Sequence, residues 1–142
     1  MKSKAILVVY QDNLWSRSVC AFFHGIGYRI EMAKALSEMI RKVRNGNIHV
    51  VLLDDEIEEV KASDIVPLLK KINPRIQVIM ISSMESIRLV RCLRSAGIFY
   101  QAMKPVDLEE IRSAVECAFE KIERENLKEG KLSFLIPKVV PA

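Results

Sequence analysis

Three residues of different chemistry stand directly after three short apolar runs: Asp54 after Val50 to Leu53, Ser82 after Ile76 to Ile81, and Lys104 after a weaker run around Tyr100 to Met103. A carboxylate can attack a phosphoryl group as a nucleophile, while a fixed ammonium and a hydroxyl stabilise the equatorial oxygens of the group in transfer. Brought to one crevice, the three suit phosphoryl capture. Each is weak evidence alone, since serine after a strand is ordinary turn chemistry and a lone lysine is usually solvated. Asp54 carries more weight, because Asp55 and Glu56 follow it and concentrate repulsion from which a purely structural loop gains nothing.

The elements that must position these residues are legible as alternating patterns. Ile6 to Val9, Val50 to Leu53, Ile76 to Ile81 and the run at Tyr100 are short and continuous, as strands of a parallel sheet buried on both faces are. Tyr28 to Met32 alternates like an edge strand, which makes five. Between them lie helical stripes: Trp15, Val19, Phe22 and Ile26; Leu36, Met39, Ile40 and Val43; Ile65, Leu68, Leu69 and Ile72; Leu89, Val90, Leu93 and Ala96. A last helix carries Leu108, Ile111, Val115, Ala118 and Ile122 on one face, with Asp107 and Glu110 as an aspartate form of the capping box. Helix stops fall at Gly25 and Gly27, at Asn45-Gly46-Asn47, at Asn73-Pro74 and at Gly97. Strict strand–helix alternation predicts a doubly wound α/β fold, a five-stranded parallel sheet with helices on both faces. Chemistry in such folds collects beyond the carboxyl ends of the strands. Here those ends are Tyr10 to Asn13, Asp54 to Ile57, Ser82 to Met84, and Lys104-Pro105.

Composition narrows the classes. A chain of 142 residues, 50% hydrophobic and 28% charged, has the balance of one ordinary globular domain with a packed core. A net charge of +4, dispersed among acids, gives nucleic-acid binding no support. The apolar run Ala5 to Val9 is too short for a signal-peptide core or a membrane span, so a cytoplasmic protein without membrane association is expected. Cys20, Cys92 and Cys117 lie far apart and suggest reduced thiols, neither a disulfide framework nor a zinc site. His24 and His49 lack acidic or cysteine partners at ligand spacing, and the charge run Glu56 to Lys61 reads as a solvated loop. The absence of a Gly-rich phosphate loop after the first strand argues against nucleotide and flavin versions of the architecture.

The segments Val50-Val51-Leu52-Leu53-Asp54, Val78-Ile79-Met80-Ile81-Ser82 and Met103-Lys104-Pro105 together resemble the motifs of response-regulator receiver domains, over roughly residues 4 to 125. The resemblance implies a flavodoxin-like strand order 2-1-3-4-5, a phosphoryl acceptor at Asp54, a phosphate-sensing hydroxyl at Ser82, a phosphate-binding Lys104 and a cis Lys104-Pro105 bond. It further implies a non-enzymatic two-component signalling module, with a histidine kinase or phosphotransfer protein as donor and a downstream protein as target. A Mg²⁺ cofactor is implied too, but the two acids that such domains place after the first strand align here with Tyr10 and Gln11. Asp12 follows at a variable position, and Glu56, with Asp54, is the remaining candidate metal ligand. The aromatic switch position is Gln101, the usual Pro and Gly of the acceptor loop align with Glu58 and Ala62, and Tyr100, one place early, faces the opposite side of its strand. Two functions follow: a phosphoryl-accepting receiver, or a pseudo-receiver that kept the fold as a protein-interaction module.

The receiver is expected over 1–125, with 126–142 a tail or linker that carries no effector domain and no helix-turn-helix. The resemblance implies a partner surface on the fourth helix, fifth strand and fifth helix, which a homodimer could use. Arg88, Arg91 and Arg94 line the fourth helix, while Glu109, Glu116, Glu120 and Glu123 supply acids on the fifth.

Overall fold

The continuous apolar runs form the middle of a sheet because residues pointing to either side find a helix to pack on. A computed structural model of the chain describes residues 4–83 and 97–135. In chain order these comprise β1 (Ala5–Val9), α1 (Asn13–Gly25), β2 (Arg29–Ala33), α2 (Leu36–Arg44), β3 (Val50–Asp54), β4 (Glu56–Ile57), β5 (Val60–Lys61), α3 (Ala62–Ile72), β6 (Gln77–Ser82), β7 (Tyr100–Met103) and a C-terminal helix (Leu108–Leu135). The main sheet runs β2-β1-β3-β6-β7 with every neighbour parallel. With the small β4–β5 hairpin set aside, this is the order 2-1-3-4-5.

Alternate residues of each central strand feed two apolar layers. Leu7, Val9, Val51, Leu53, Val78 and Met80 meet Met39 and Val43 of α2 and Ile65 and Leu69 of α3. On the other face Ile6, Val8, Leu52 and Ile81 meet Trp15, Val19 and Phe23 of α1 and Ile111, Val115 and Phe119 of the C-terminal helix. Full burial of such side chains contributes about 1.5–3 kcal/mol each. The strands on either side of β1 are reached by crossovers of opposite direction, so a crevice opens beyond the carboxyl ends of β1 and β3.

Several expectations need correction. The buried stripe of α1 is Trp15, Ser16, Val19 and Phe23; Phe22 packs partly buried against the same layer, whereas Ile26 is exposed because the helix stops at Gly25 and Ile26 is its C-cap. Strand β2 begins at Arg29, since Tyr28 is drawn into an aromatic group with Phe23 and Phe119. Glu56 to Lys61 is an antiparallel hairpin, not a loop: Ile57 is fully buried, and Glu58 and Glu59 turn the chain at φ 50° and 67°. The capping box is half formed. Asp107 Oδ1 accepts from the Glu109 and Glu110 amides, but the Glu110 carboxylate accepts instead from the Tyr100 hydroxyl at 2.7 Å. Helix continues past Asn126 to Leu135, because Glu123 to Glu129 are mostly good helix formers and a single Gly130 costs only about 1 kcal/mol. The helix expected around Leu89 to Ala96, with Arg88, Arg91 and Arg94, lies outside the described residues.

Candidate functional site

Asp54 is the last residue of β3 and only 1% exposed. A buried carboxylate must be matched by donors, and here five converge. Oδ2 accepts from the backbone amides of Gln11 (2.9 Å) and Asp12 (3.1 Å) and from the indole Nε1–H of Trp15 (3.1 Å). Oδ1 accepts from the Lys104 ammonium (2.8 Å) and from the Asp55 amide (3.1 Å). The β1–α1 connection can aim two amides at one oxygen because it is turning into a helix whose N-cap is Asp12, with Oδ1 taking the Leu14 amide at 2.8 Å.

Lys104 follows β7 and heads a cis bond to Pro105, as the receiver resemblance implies. Its amide donates to the Ser82 carbonyl at 2.8 Å, which fixes the end of β7 against the end of β6. Ser82 itself is fully buried at that edge, one residue beyond the Ile81 that pairs with Asp54. Asp54, Ser82 and Lys104 thus occupy one edge of the sheet. Neighbouring Asp55 accepts from both the amide and the hydroxyl of Ser83 at 3.2 Å, tying the mouth of β3 to that of β6.

Burial pushes the Asp54 carboxyl upward, but the Lys104 ammonium, the Gln11 amide, the Trp15 indole and the Asp12 amide outweigh it and hold the group below the usual carboxylate range. For Lys104 burial works downward, and the hydrogen bond and charge of Asp54, then Asp55 and Asp12, raise it above the ordinary lysine value. Asp12 Oδ2 stands 3.6 Å from the same ammonium. The pair is therefore charged, and its cation is shared.

Receiver domains commonly bind Mg²⁺ in an acidic pocket. The residues present here do not fit that ion. Mg²⁺ prefers carboxylate oxygens with free lone pairs, whereas both oxygens of Asp54 face N–H donors and one faces a cation. Gln11, which stands where an acid is expected, has its Oε1 occupied by the Glu58 amide at 3.1 Å. Tyr10 packs its side chain against the α1 layer. Glu56 lies in the hairpin opposite Lys61, and no group of three His, Cys, Asp or Glu suited to a metal occurs among the described residues.

Helical spacing places Trp15 only in the apolar stripe, although an indole N–H inside a core requires an acceptor and so announces a polar neighbour. Asp ahead of a helical stripe is an N-cap signal, and it is the one that points to Asp12. The expectation for Tyr100 holds: it points to the C-terminal helix through Glu110, not to the face of Gln101. Glu109 and Glu116 pair with Arg112 at 3.7 and 3.5 Å, and Glu123 with Lys4 at 3.8 Å, so three of the acids assigned to a subunit contact are used within the chain. No helix among the described residues is long and apolar enough to cross a membrane.

Comparison with known proteins gives this geometry its family. The DNA-binding transcriptional regulator NtrC of Azospirillum brasilense is 25% identical over 118 residues, covering 83% of this chain and 24% of the relative. Transcriptional regulatory protein ZraR of Klebsiella oxytoca is 29% identical over 108 residues, 75% of this chain and 24% of the relative. The chain thus spans about a quarter of the length of these curated relatives. A CheY-like response regulator receiver domain from Methanospirillum hungatei JF-1 superposes with a TM-score of 0.81 at 22% identity, covering 87% of this chain and 99% of that one, a likeness of fold. The profile of the response regulator receiver domain matches residues 6–116, which include Asp54, Ser82 and Lys104. Receiver domains are generally non-enzymatic signalling modules that interact with histidine kinases and downstream effectors. With the sheet order, the cis bond and the aspartate–lysine pair in agreement, this chain belongs to the response regulator receiver domain family of two-component systems.

Proposed function

We propose that this domain acts as a phosphorylation-independent receiver, a protein-interaction module in which Asp54 holds the mouth of the sheet together and does not accept a phosphoryl group. One observation carries this reading: five donors meet a carboxylate that offers about four lone-pair directions, at a residue 1% exposed. Attack on phosphorus requires an oxygen with a free, outward lone pair, and opening one here means breaking bonds inside a buried network. Missing acids at Tyr10 and Gln11 point the same way. The partner proposed is a downstream protein target. A two-fold contact through acids of the C-terminal helix gains little support, because Glu109, Glu116 and Glu123 already pair within the chain.

The second reading, phosphoryl transfer from a histidine kinase or phosphotransfer protein to Asp54, is favoured by the 2.8 Å Lys104 contact and by Ser82 at the same edge. Acetyl phosphate treatment with and without Mg²⁺, followed by intact mass, separates the two. An unchanged mass is expected. One added phosphoryl group that disappears in Asp54→Asn would establish the second reading.

A further inference from the structure

Trp15 lies in the first turn of α1, is 4% exposed, and aims its Nε1–H at the oxygen of Asp54 that also takes the Gln11 and Asp12 amides. The ring is part of the apolar layer with Ile6, Val8, Leu52 and Ile81. Packing therefore fixes the donor, and a buried indole N–H that has found a carboxylate has no better acceptor to leave for. Three N–H dipoles on one oxygen stabilise its charge from within, as a cation would from solution, but without ever dissociating.

We propose that Trp15 is a built-in substitute for a divalent cation and the positioning residue that closes Asp54 to cations and phosphoryl donors. The inference rests on the closed-site reading and adds a cause to it: the closure comes from Trp15 and not merely from the acids absent at Tyr10 and Gln11. An acid introduced at position 11 alone leaves Oδ2 saturated. Removal of the pyrrole edge of Trp15 takes away the one side-chain donor among the three on Oδ2 and opens the space beside that oxygen, and only then does a nearby acid help a cation to bind.

The test uses the full chain with Gln11→Asp, Trp15→Phe and the double variant, probed with Mg²⁺ alone by calorimetry and by the amide resonances of Asp54 and Asp55. Phe keeps a six-membered ring in the layer; Trp15→Leu is the second choice if the Phe variant fails to give a folded amide spectrum. The double variant is expected to bind Mg²⁺ at least about tenfold more tightly than Gln11→Asp, a difference of about 1.4 kcal/mol. Equal responses, whether both variants bind or neither does, overturn the role of Trp15. Acetyl phosphate labelling keeps the two claims apart. Labelling of the unaltered chain defeats the closed-site reading, and Trp15 is then judged by rate: about tenfold faster labelling of Trp15→Phe supports it, and an unchanged rate overturns it.

Discussion

Lys104 and Asp54, 50 residues apart in sequence, meet as ammonium and carboxylate at 2.8 Å, a side-chain bridge between the mouths of β3 and β7. Breaking a buried pair from one side leaves the other charge uncompensated, at a cost of about 3–5 kcal/mol. Lys104→Met is expected toward the lower end, because the lysine is partly open to solvent and water can reach the gap. Asp54→Ala belongs toward the upper end, since it also strands the Trp15 indole and three amides. Urea unfolding of both variants measures this. Losses under about 1 kcal/mol would mean that the network contributes little.

The pair also sets a pH dependence. Asp54 titrates below its unfolded value of about 3.9, so its stabilisation is fully present above that value and is lost as pH falls through the folded one. Lys104 titrates above its unfolded value of about 10.4, so its share is present below that and is lost as pH rises through the folded one. Thermal melts across the acid range should show the gap in Tm between the natural chain and Asp54→Asn narrowing below about pH 4. A gap of constant size from neutral to strongly acid pH would rule out the Asp54 charge as its source.

Asp12 caps α1 through Leu14 while its own amide serves Asp54. Replacing the side chain removes the cap and leaves the amide in place. Asp12→Ala should cost about 1 kcal/mol, and the Trp15 indole resonance should stay where it is. A large shift of that resonance would show that the cap and the carboxylate network are one unit.

Glu59 holds φ at 67° in the hairpin turn, where a Cβ is unfavourable and glycine is not. Glu58 is similarly placed, but its carboxylate accepts from the Leu36 amide at 2.6 Å, which compensates the strain. Glu59→Gly is therefore expected to raise stability by about 0.5–1 kcal/mol, the conformational gain exceeding the added freedom of the unfolded chain. Glu58→Gly should gain less or lose. A denaturant midpoint that falls for Glu59→Gly would contradict this account.

Alternating β-branched runs and amphipathic stripes carry the fold in plain sight, because periodicity is a local property and each strand buried on both faces demands helices on both sides. The five sheet strands, the glycine stops at Gly27 and Gly46, and the Asp107 cap could all be read that way. So could the edge that gathers Asp54, Ser82 and Lys104, since in this architecture residues after parallel strands share one end. The Glu56 to Lys61 hairpin could not, because its stability comes from the burial of Ile57 and from a turn that glutamates seldom make. The continuation of the last helix was hidden by Gly130 and by the change of composition after Asn126.

Which groups meet Asp54 at that edge was decided only by the tertiary structure. Sequence assigns a carboxylate to position 54, but whether its lone pairs point to solvent or to donors depends on groups 39 to 50 residues away. Two of those donors are backbone amides, which leave no mark in residue type, and a third belongs to a tryptophan whose helical spacing describes its ring and not its N–H. A free aspartate and a saturated one are written with the same letter, and they differ in the three-dimensional supply of hydrogens, which is a property of the folded chain.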